Sequence, residues 1–215
     1  IALLENKEVL CEYLSPSDQK GSTGLIPQID HILKKQKMKL DQIDIFALSA
    51  GPGSFTGLRI GYATIKGFCL VKQRPVMGVP TLDVIAENAK KYPGLLCVIE
   101  DARQQKLYTC LYEIAENGVV KRRASYAIKT IDQILLKLEG EVHFIGTGIN
   151  LSRDVICRKP HLRPFFIPEE YWLPKAGVVG ILAYQRYTGT RIFESAQDAE
   201  PLYLYPRDCM IKNKK

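Results

Sequence analysis

The sequence has no long apolar run, no paired-cysteine motif and no histidine pair, and each absence removes a class of protein. No stretch approaches the about 20 apolar residues that a bilayer-spanning helix needs, so a soluble, cytoplasmic protein without membrane contact is expected. The opening Ile1-Ala2-Leu3-Leu4-Glu5 carries neither the basic region nor the apolar core of a secretory signal. It also lacks an initiator Met, and a chain that starts partway through something is the expectation. Six cysteines (Cys11, Cys69, Cys97, Cys110, Cys157 and Cys209) lie far apart and none forms C-x-x-C. That pattern excludes a zinc knuckle and a thioredoxin-type site, and reduced, buried thiols are expected. The three histidines, His31, His143 and His161, are isolated, and a lone histidine is more often a surface or core residue than a ligand.

What remains is an ordinary globular chain. It has 215 residues, enough for one large domain or two of about 100 residues each. Hydrophobic residues make up 46% and charged residues 25%, so disorder is not indicated. The net charge of +7 is compatible with a polyanionic partner such as RNA. The basic clusters are short: Lys34-Lys35-Gln36-Lys37-Met38-Lys39, Lys121-Arg122-Arg123 and Lys212 to Lys215. Such clusters are commonly solvated surface, so charge alone leaves RNA contact open.

Along the chain, residues 1–14 predict a hairpin turning at Asn6-Lys7, followed by a loop at Ser15-Pro16-Ser17-Asp18. Leu25, Ile26, Ile29, Ile32 and Leu33 fall at helical spacing, which gives a helix over about Ser22–Gln36 with one apolar face. A buried strand is expected over Ile43–Leu48, then a glycine-rich loop, a helix over about Leu58–Lys72 and a strand over Pro75–Val79. Thr81 reads as the N-cap of a helix running to about Lys91. The second half gives strands at Leu95–Glu100, Lys106–Glu113 and Val119–Ile128, the last entered through the Asn117-Gly118 turn. Thr130 then caps a helix ending near Gly140. A strand at Val142–Ile145 leads into Gly146-Thr147-Gly148, a weaker helix, a strand at Arg163–Ile167 and a helix over about Lys175–Tyr187.

The second half therefore reads βββαβαβα, and the first half reads the same with its first strand missing. This α/β pattern predicts a tandem duplication: residues 1–94 as one RNase H-like lobe and 95–215 as a second, its last segment a candidate to pack back on the first. That doubled order is the layout of the actin, sugar kinase and Hsp70 superfamily.

Gly51-Pro52-Gly53-Ser54-Phe55-Thr56-Gly57-Leu58-Arg59-Ile60-Gly61 lies between a strand and a helix, where backbone N–H groups can cradle an anion. A P-loop needs a Lys after its last glycine, and Leu58 stands there instead. A dinucleotide site needs G-x-G-x-x-G and an acid about 20 positions on. Here the spacing is G-x-G-x-x-x-G, and Val71-Lys72-Gln73-Arg74-Pro75 contains no acid. The preferred reading is structural: the glycines permit the turn, and Ser54 or Thr56 caps the helix. Gly61 and Gly67 each cost that helix about 1 kcal/mol relative to alanine. With Ala63 and Thr64 they leave a small-residue surface suited to close approach by another backbone, internal or from a second protein.

These residues also carry a resemblance. GPGSFTGLRIG, residues 51–61, resembles the signature segment of the TsaB (YeaZ) family. Ser22 to Leu33 is similar to its first helix, Asp101-Ala102-Arg103 followed by Leu107-Tyr108 to its D-A-R hairpin, and Pro201-Leu202-Tyr203-Leu204 to its C-terminal P-x-Y-L. The resemblance implies a two-lobed actin-like fold and a non-catalytic subunit. That subunit would dock on a TsaD-type paralogue carrying the metal and active site. With a TsaE-type ATPase the complex transfers a threonylcarbamoyl group to an adenosine of tRNA. No catalytic, metal or cofactor residue of its own is implied; ATP and metal belong to the partner subunits. The implied docking helices give Leu25, Ile29, Ile32, Gly61, Thr64, Ile65 and Phe68 as candidate contacts. Catalytic relatives hold metal through H-x-x-x-H, which this sequence lacks, and Gly21-Ser22-Thr23-Gly24 stands in the corresponding region.

Two features depart from the family. Its usual first strand, with an Asp-Thr-Ser-like segment, is absent before Ile1, so a truncated chain or a misplaced gene start is expected. The P-x-Y-L motif is often followed by Arg, whereas here Tyr205 and Pro206 precede Arg207. The rival readings are an independent metallopeptidase or ATP-dependent enzyme, and a homodimer acting alone. Asp101 with Arg103 fits a turn acid paired with a base better than a metal- or nucleotide-facing acid. The tail around Tyr203, Tyr205 and Lys212 fits either RNA stacking or a packed terminus.

Overall fold

The computed structural model describes residues 1–14, 24–191 and 193–205. The expected loop at Ser15–Asp18, the segment Gly21–Thr23, and Pro206, Arg207, Cys209 and Lys212–Lys215 lie outside these residues. Among the described residues, ten strands and six α-helices follow one another in a mixed α/β order. The described chain divides into two units: Ile1–Val84 with Lys175–Leu202, and Ile85–Pro174 with the segment that begins at Tyr203.

In the first unit, β1 (Ala2–Glu5) and β2 (Glu8–Glu12) form the predicted antiparallel hairpin, with Asn6 at φ 57 in the turn. Helix α1 (Leu25–Lys35) turns Ile29, Ile32 and Leu33 inward against Leu3, Cys11, Met38 and Leu40. A single 3₁₀ turn (Leu40–Gln42) then leads to β3 (Phe46–Gly51), which pairs in parallel with β4 (Val76–Pro80). The strand starts later than the predicted Ile43 because Ile43 packs with the α1 cluster instead. Helix α2 (Phe55–Val71) buries Tyr62 and Cys69 against Val76 and Ala199. Helix α6 (Ala176–Thr190) packs Val179 and Ala183 on Met77 and Val79. Its Gly177 and Gly180 stand against Val9 and Leu4, where added side-chain carbons would crowd both. Arg186 on α6 pairs with the largely buried Asp83, at 2.9 Å.

Thr81 is a correction. It is the first residue of α3 (Thr81–Asn88) rather than its cap, and its hydroxyl lies 2.6 Å from that of Ser49. The helix also stops short of Lys91, and Asn88 donates to the carbonyls of Tyr171 and Leu173.

The second unit is built on one sheet, ordered β10-β9-β5-β6-β7. Here β5 (Gly94–Asp101) runs antiparallel to β6 (Leu107–Ile114) and parallel to β9 (Gly140–Ile145), which pairs in parallel with β10 (Leu162–Phe166). Leu96, Cys97, Val98 and Ile99 are fully buried, as a strand covered on both faces requires. The single strand expected over Val119–Ile128 is two: β7 (Val120–Arg122) and β8 (Ala127–Lys129), paired to different stretches of β6. Between them the chain leaves the ladder, and the Cys110 thiol lies within hydrogen-bonding reach of the Ala124 carbonyl.

Helix α4 (Ile131–Leu135) is shorter than predicted, and Gly140, at φ 70, opens β9 rather than closing the helix. Its start follows the sequence: Thr130 Oγ1 accepts from Gln133 N–H, and Gln133 Oε1 accepts from Thr130 N–H. A capping box of this kind satisfies two otherwise orphaned donors. Thr130→Ala is expected to cost about 1 kcal/mol, read as a lower urea midpoint with unchanged slope. An unchanged midpoint would mean that the box contributes nothing here. Helix α5 (Ile149–Cys157) completes the unit, with Ile149 and Ile156 buried.

The thiols follow the sequence reading at Cys69, Cys97 and Cys110, which are buried. Burial pushes the Cys97 thiol up to about 12. Cys157 is an exception: it is exposed at the end of α5.

Candidate functional site

The glycine segment begins where β3 ends. Gly51 has φ 108, and a Cβ there would fall 2.8 Å from the Leu202 carbonyl oxygen. Leu202 N–H in turn donates to the Ala50 carbonyl at 2.7 Å. Leu202 of the P-L-Y-L segment is thus laid across the start of the glycine loop, and only glycine fits beneath it. Ser54 is the N-cap of α2, its hydroxyl accepting from Gly57 N–H at 3.3 Å. Thr56 lies inside the helix. The Arg59 guanidinium stacks 3.8 Å over the Phe55 ring and covers part of it.

The candidate contacts divide by the way they face. On α1, Ile32 is 5% exposed and Ile29 is packed against the same cluster, so the apolar face belongs to the chain's own core. Ile26 projects instead, at 59% exposed. Leu25 is half-buried at the helix start. On α2, Ile65 packs against the Tyr62 cluster, and the Phe68 ring lies 5.8 Å from that of Phe46. Gly61 and Thr64 are half-buried.

The open side of α2 carries Thr56, Arg59, Ala63, Gly67 and Leu70, all exposed and spaced three or four apart. Leu70 is 89% exposed. A Cβ on Gly67 would meet nothing within 4 Å, and one on Gly61 only Leu48 Cδ1, at 3.9 Å. No described part of the chain therefore demands glycine at either position. The sequence alone placed Ala63 and Gly67 on the small-residue surface of this helix, but they, Leu70 and Ile26 stood outside its candidate contacts; extending the helical period from Arg59 reaches Ala63, Gly67 and Leu70.

The second unit has a glycine loop of its own. Gly146, at φ 112, leaves no room for a Cβ beside the Ile99 carbonyl and Glu100. Thr147 donates to Glu100 twice, from its N–H at 2.8 Å and from its hydroxyl at 2.9 Å. Burial lifts the Glu100 carboxyl above the usual carboxylate range; the Thr147 bonds oppose this, and the Asp101 charge adds to it. The native state then holds this proton to higher pH than the unfolded chain, whose reference is near 4.5. Stability falls as pH rises through that window, because there the native state binds more protons. Glu100→Gln is expected to remove this part of the slope, read from urea midpoints across pH. Parallel slopes for the two proteins would contradict it.

The neighbouring turn is built as the sequence suggested. Asp101 Oδ1 accepts from Arg103 N–H at 2.7 Å, and the Arg103 guanidinium lies 3.6 Å from Oδ2. Arg103, Gln104 and Gln105 are all left-handed, at φ 66, 52 and 59. Tyr205 braces this turn: its hydroxyl donates to the Ala102 carbonyl at 2.8 Å, and its ring meets Tyr108 edge-on. For Tyr205 the packed reading of the tail holds. Among the described residues no three His, Cys, Asp or Glu side chains converge, and no helix is long and apolar enough to cross a membrane. His143 packs among Tyr92 and Phe165.

The comparisons with known proteins agree with this picture. Residues 17–161 match the family model described as TsaD, tRNA N6-adenosine threonylcarbamoyltransferase. The tRNA threonylcarbamoyladenosine biosynthesis protein TsaB of Escherichia coli (strain K12) is 33% identical over 185 residues, 84% of this chain and 78% of its own. TsaB of Bacillus subtilis (strain 168) is 31% identical over 159 residues, 73% of this chain and 69% of its own. A crystal structure from Pseudomonas aeruginosa, of an uncharacterized protein with similarity to peptidase YEAZ, superposes with a TM-score of 0.77. It is 24% identical, covering 95% of this chain and 93% of its own, and so supports the fold alone. With its α/β layout, its glycine segment braced by Leu202 and this degree of identity to two TsaB proteins, the chain belongs to the TsaB family.

Proposed function

We propose that the chain takes part in tRNA threonylcarbamoyladenosine biosynthesis as a non-catalytic subunit that docks a TsaD-type catalytic paralogue on the open side of α2. The relatives' names support the process. The docking surface rests on one observation: the exposed row Ala63, Gly67 and Leu70, small in its middle, where the chain's own packing asks for no glycine. A helix keeps costly glycines where a foreign backbone comes close. Metal and ATP then belong to the paralogue and to a TsaE-type ATPase, and tRNA is handled by the complex.

The test is size-exclusion chromatography with light scattering, for the protein alone and mixed with its paralogue. A one-to-one complex that replaces any self-dimer supports the reading; no complex at micromolar concentrations refutes it. Ile29→Asp is a poor probe, because Ile29 helps hold the α1 cluster together. Ile26 and Gly67 are the informative positions.

A further inference from the structure

We propose that the end of the first unit formed by the α1–β3 and α2–β4 connections binds the phosphate backbone of the RNA substrate; this rests on the functional reading above. Two stretches distant in sequence bring six cations to this end. Lys34, Lys35, Lys37 and Lys39 lie on the way out of α1, and all four are exposed. Lys72 and Arg74 follow α2, and both donate to one acceptor, the Asp41 carbonyl, at 3.2 and 3.0 Å. That shared acceptor joins the second stretch to the first. Arg74 Nε is also buried without an acceptor among the described residues.

Helix compensation explains only part of the cluster. Lys34 and Lys35 sit in the last turn of α1, where cations offset the helix dipole, and Lys34 is already paired with Asp30 at 2.7 Å. Lys37 and Lys39 lie beyond the helix and, like Lys72 and Arg74, form no ion pair with a carboxylate among the described residues. Asp41 and Asp44 follow the lysine run in sequence, and Glu194 is bridged to Val76, two residues beyond Arg74.

The surface between the cations decides the partner class. Met38, Leu40 and Ile43 turn inward onto Ile32 and Leu33. Between Lys34 and Lys39 no apolar side chain projects to enter a membrane interface, which peripheral binding normally requires. Leu70 and Val71, 89% and 91% exposed, precede Lys72, and Leu70 belongs to the row assigned above to the paralogue. Neither cation stretch, 34–39 nor 72–74, contains an aromatic residue to read a base. Charge alone, spread along a chain of flexible lysines, suits closely spaced phosphates and predicts sequence-independent contact.

The test uses the full protein, an unmodified tRNA transcript and fluorescence anisotropy over a range of salt. The combined Lys37→Gln, Lys39→Gln and Lys72→Gln variant is expected to bind at least tenfold more weakly. Its salt dependence should flatten by about one unit of log–log slope per cation removed. A charge-matched control, Lys121→Gln with Lys137→Gln and Arg158→Gln, should bind as the wild type does. Equal loss in both variants, or loss in neither, overturns the proposal. So does wild-type binding to phosphatidylserine vesicles without binding to the transcript. Co-elution with the paralogue, measured on the same samples, separates the two readings. A triple variant that co-elutes but binds RNA normally sinks only this inference, whereas a wild type that never co-elutes sinks the functional reading.

Discussion

Gly67→Arg is expected to weaken the complex with a TsaD-type paralogue at least 100-fold while leaving the protein alone as stable as before, or slightly more so. The two halves of this result have separate causes. In the isolated protein a Cβ at Gly67 enters open space, so the new side chain displaces nothing. Replacing a mid-helix glycine also removes a backbone penalty of about 1 kcal/mol. In the complex a long, charged side chain stands where two backbones are meant to approach. A 100-fold loss is about 2.8 kcal/mol, within the range seen when the centre of an interface is disturbed. Isothermal titration calorimetry reads the binding and differential scanning fluorimetry the stability. Normal affinity in the variant would remove the open side of α2 from the interface. A lowered melting temperature would show that Gly67 serves the protein's own packing instead.

Gly146→Ala should be the most damaging of the conservative substitutions considered. The position has φ 112, which only glycine adopts without strain, and the added carbon would fall on the Ile99 carbonyl oxygen and the Glu100 carboxylate. The loop must move away, and with it go the two bonds from Thr147 to Glu100. Strain and a loosened buried carboxyl together are expected to cost at least about 3 kcal/mol. In a chain of this size that is a fall of roughly 6–12 °C in melting temperature. Gly140→Ala is the comparison: φ is 70, but no atom lies within 4 Å of the new carbon. It should cost only about 1 kcal/mol. Equal losses at the two glycines would mean that backbone conformation, not the close approach, sets the requirement at Gly146.

Much of the fold was legible because local chemistry and tertiary structure agree over long stretches. The Asn6-Lys7 turn, the Thr130 cap, the Ser54 cap and the strands before each glycine loop all follow from residues within one turn or strand. The misreadings share a cause: periodicity shows that a face is buried, not what buries it. The apolar residues of α1 were read as a docking stripe, yet Ile29, Ile32 and Leu33 close the chain's own cluster. Val119–Ile128 has the composition of one strand, but β6 is paired at two separate places and the chain bows out between them. Gly51 was correctly read as a turn residue. Its further constraint, the Leu202 carbonyl, comes from about 150 residues away in sequence, where no local pattern reports it.

The discontinuity of the first unit bears on how the protein is made. The second unit's sheet and helices lie within the uninterrupted stretch Ile85–Pro174. The first unit needs Lys175–Leu202, which bring α6 onto Met77 and Val79 and set Leu202 across Gly51. A ribosome releases these segments only after the whole of Ile85–Pro174. Contacts so distant in sequence also carry a large loop-closure cost. Translation therefore inverts the usual N-to-C order of folding. The central unit closes while the strands made before it are still waiting, with Met77 and Val79 uncovered, for a helix synthesised about 100 residues later. A nascent chain stalled near residue 174 should accordingly protect Leu96–Ile99 from proteolysis and leave β3 and β4 open to it.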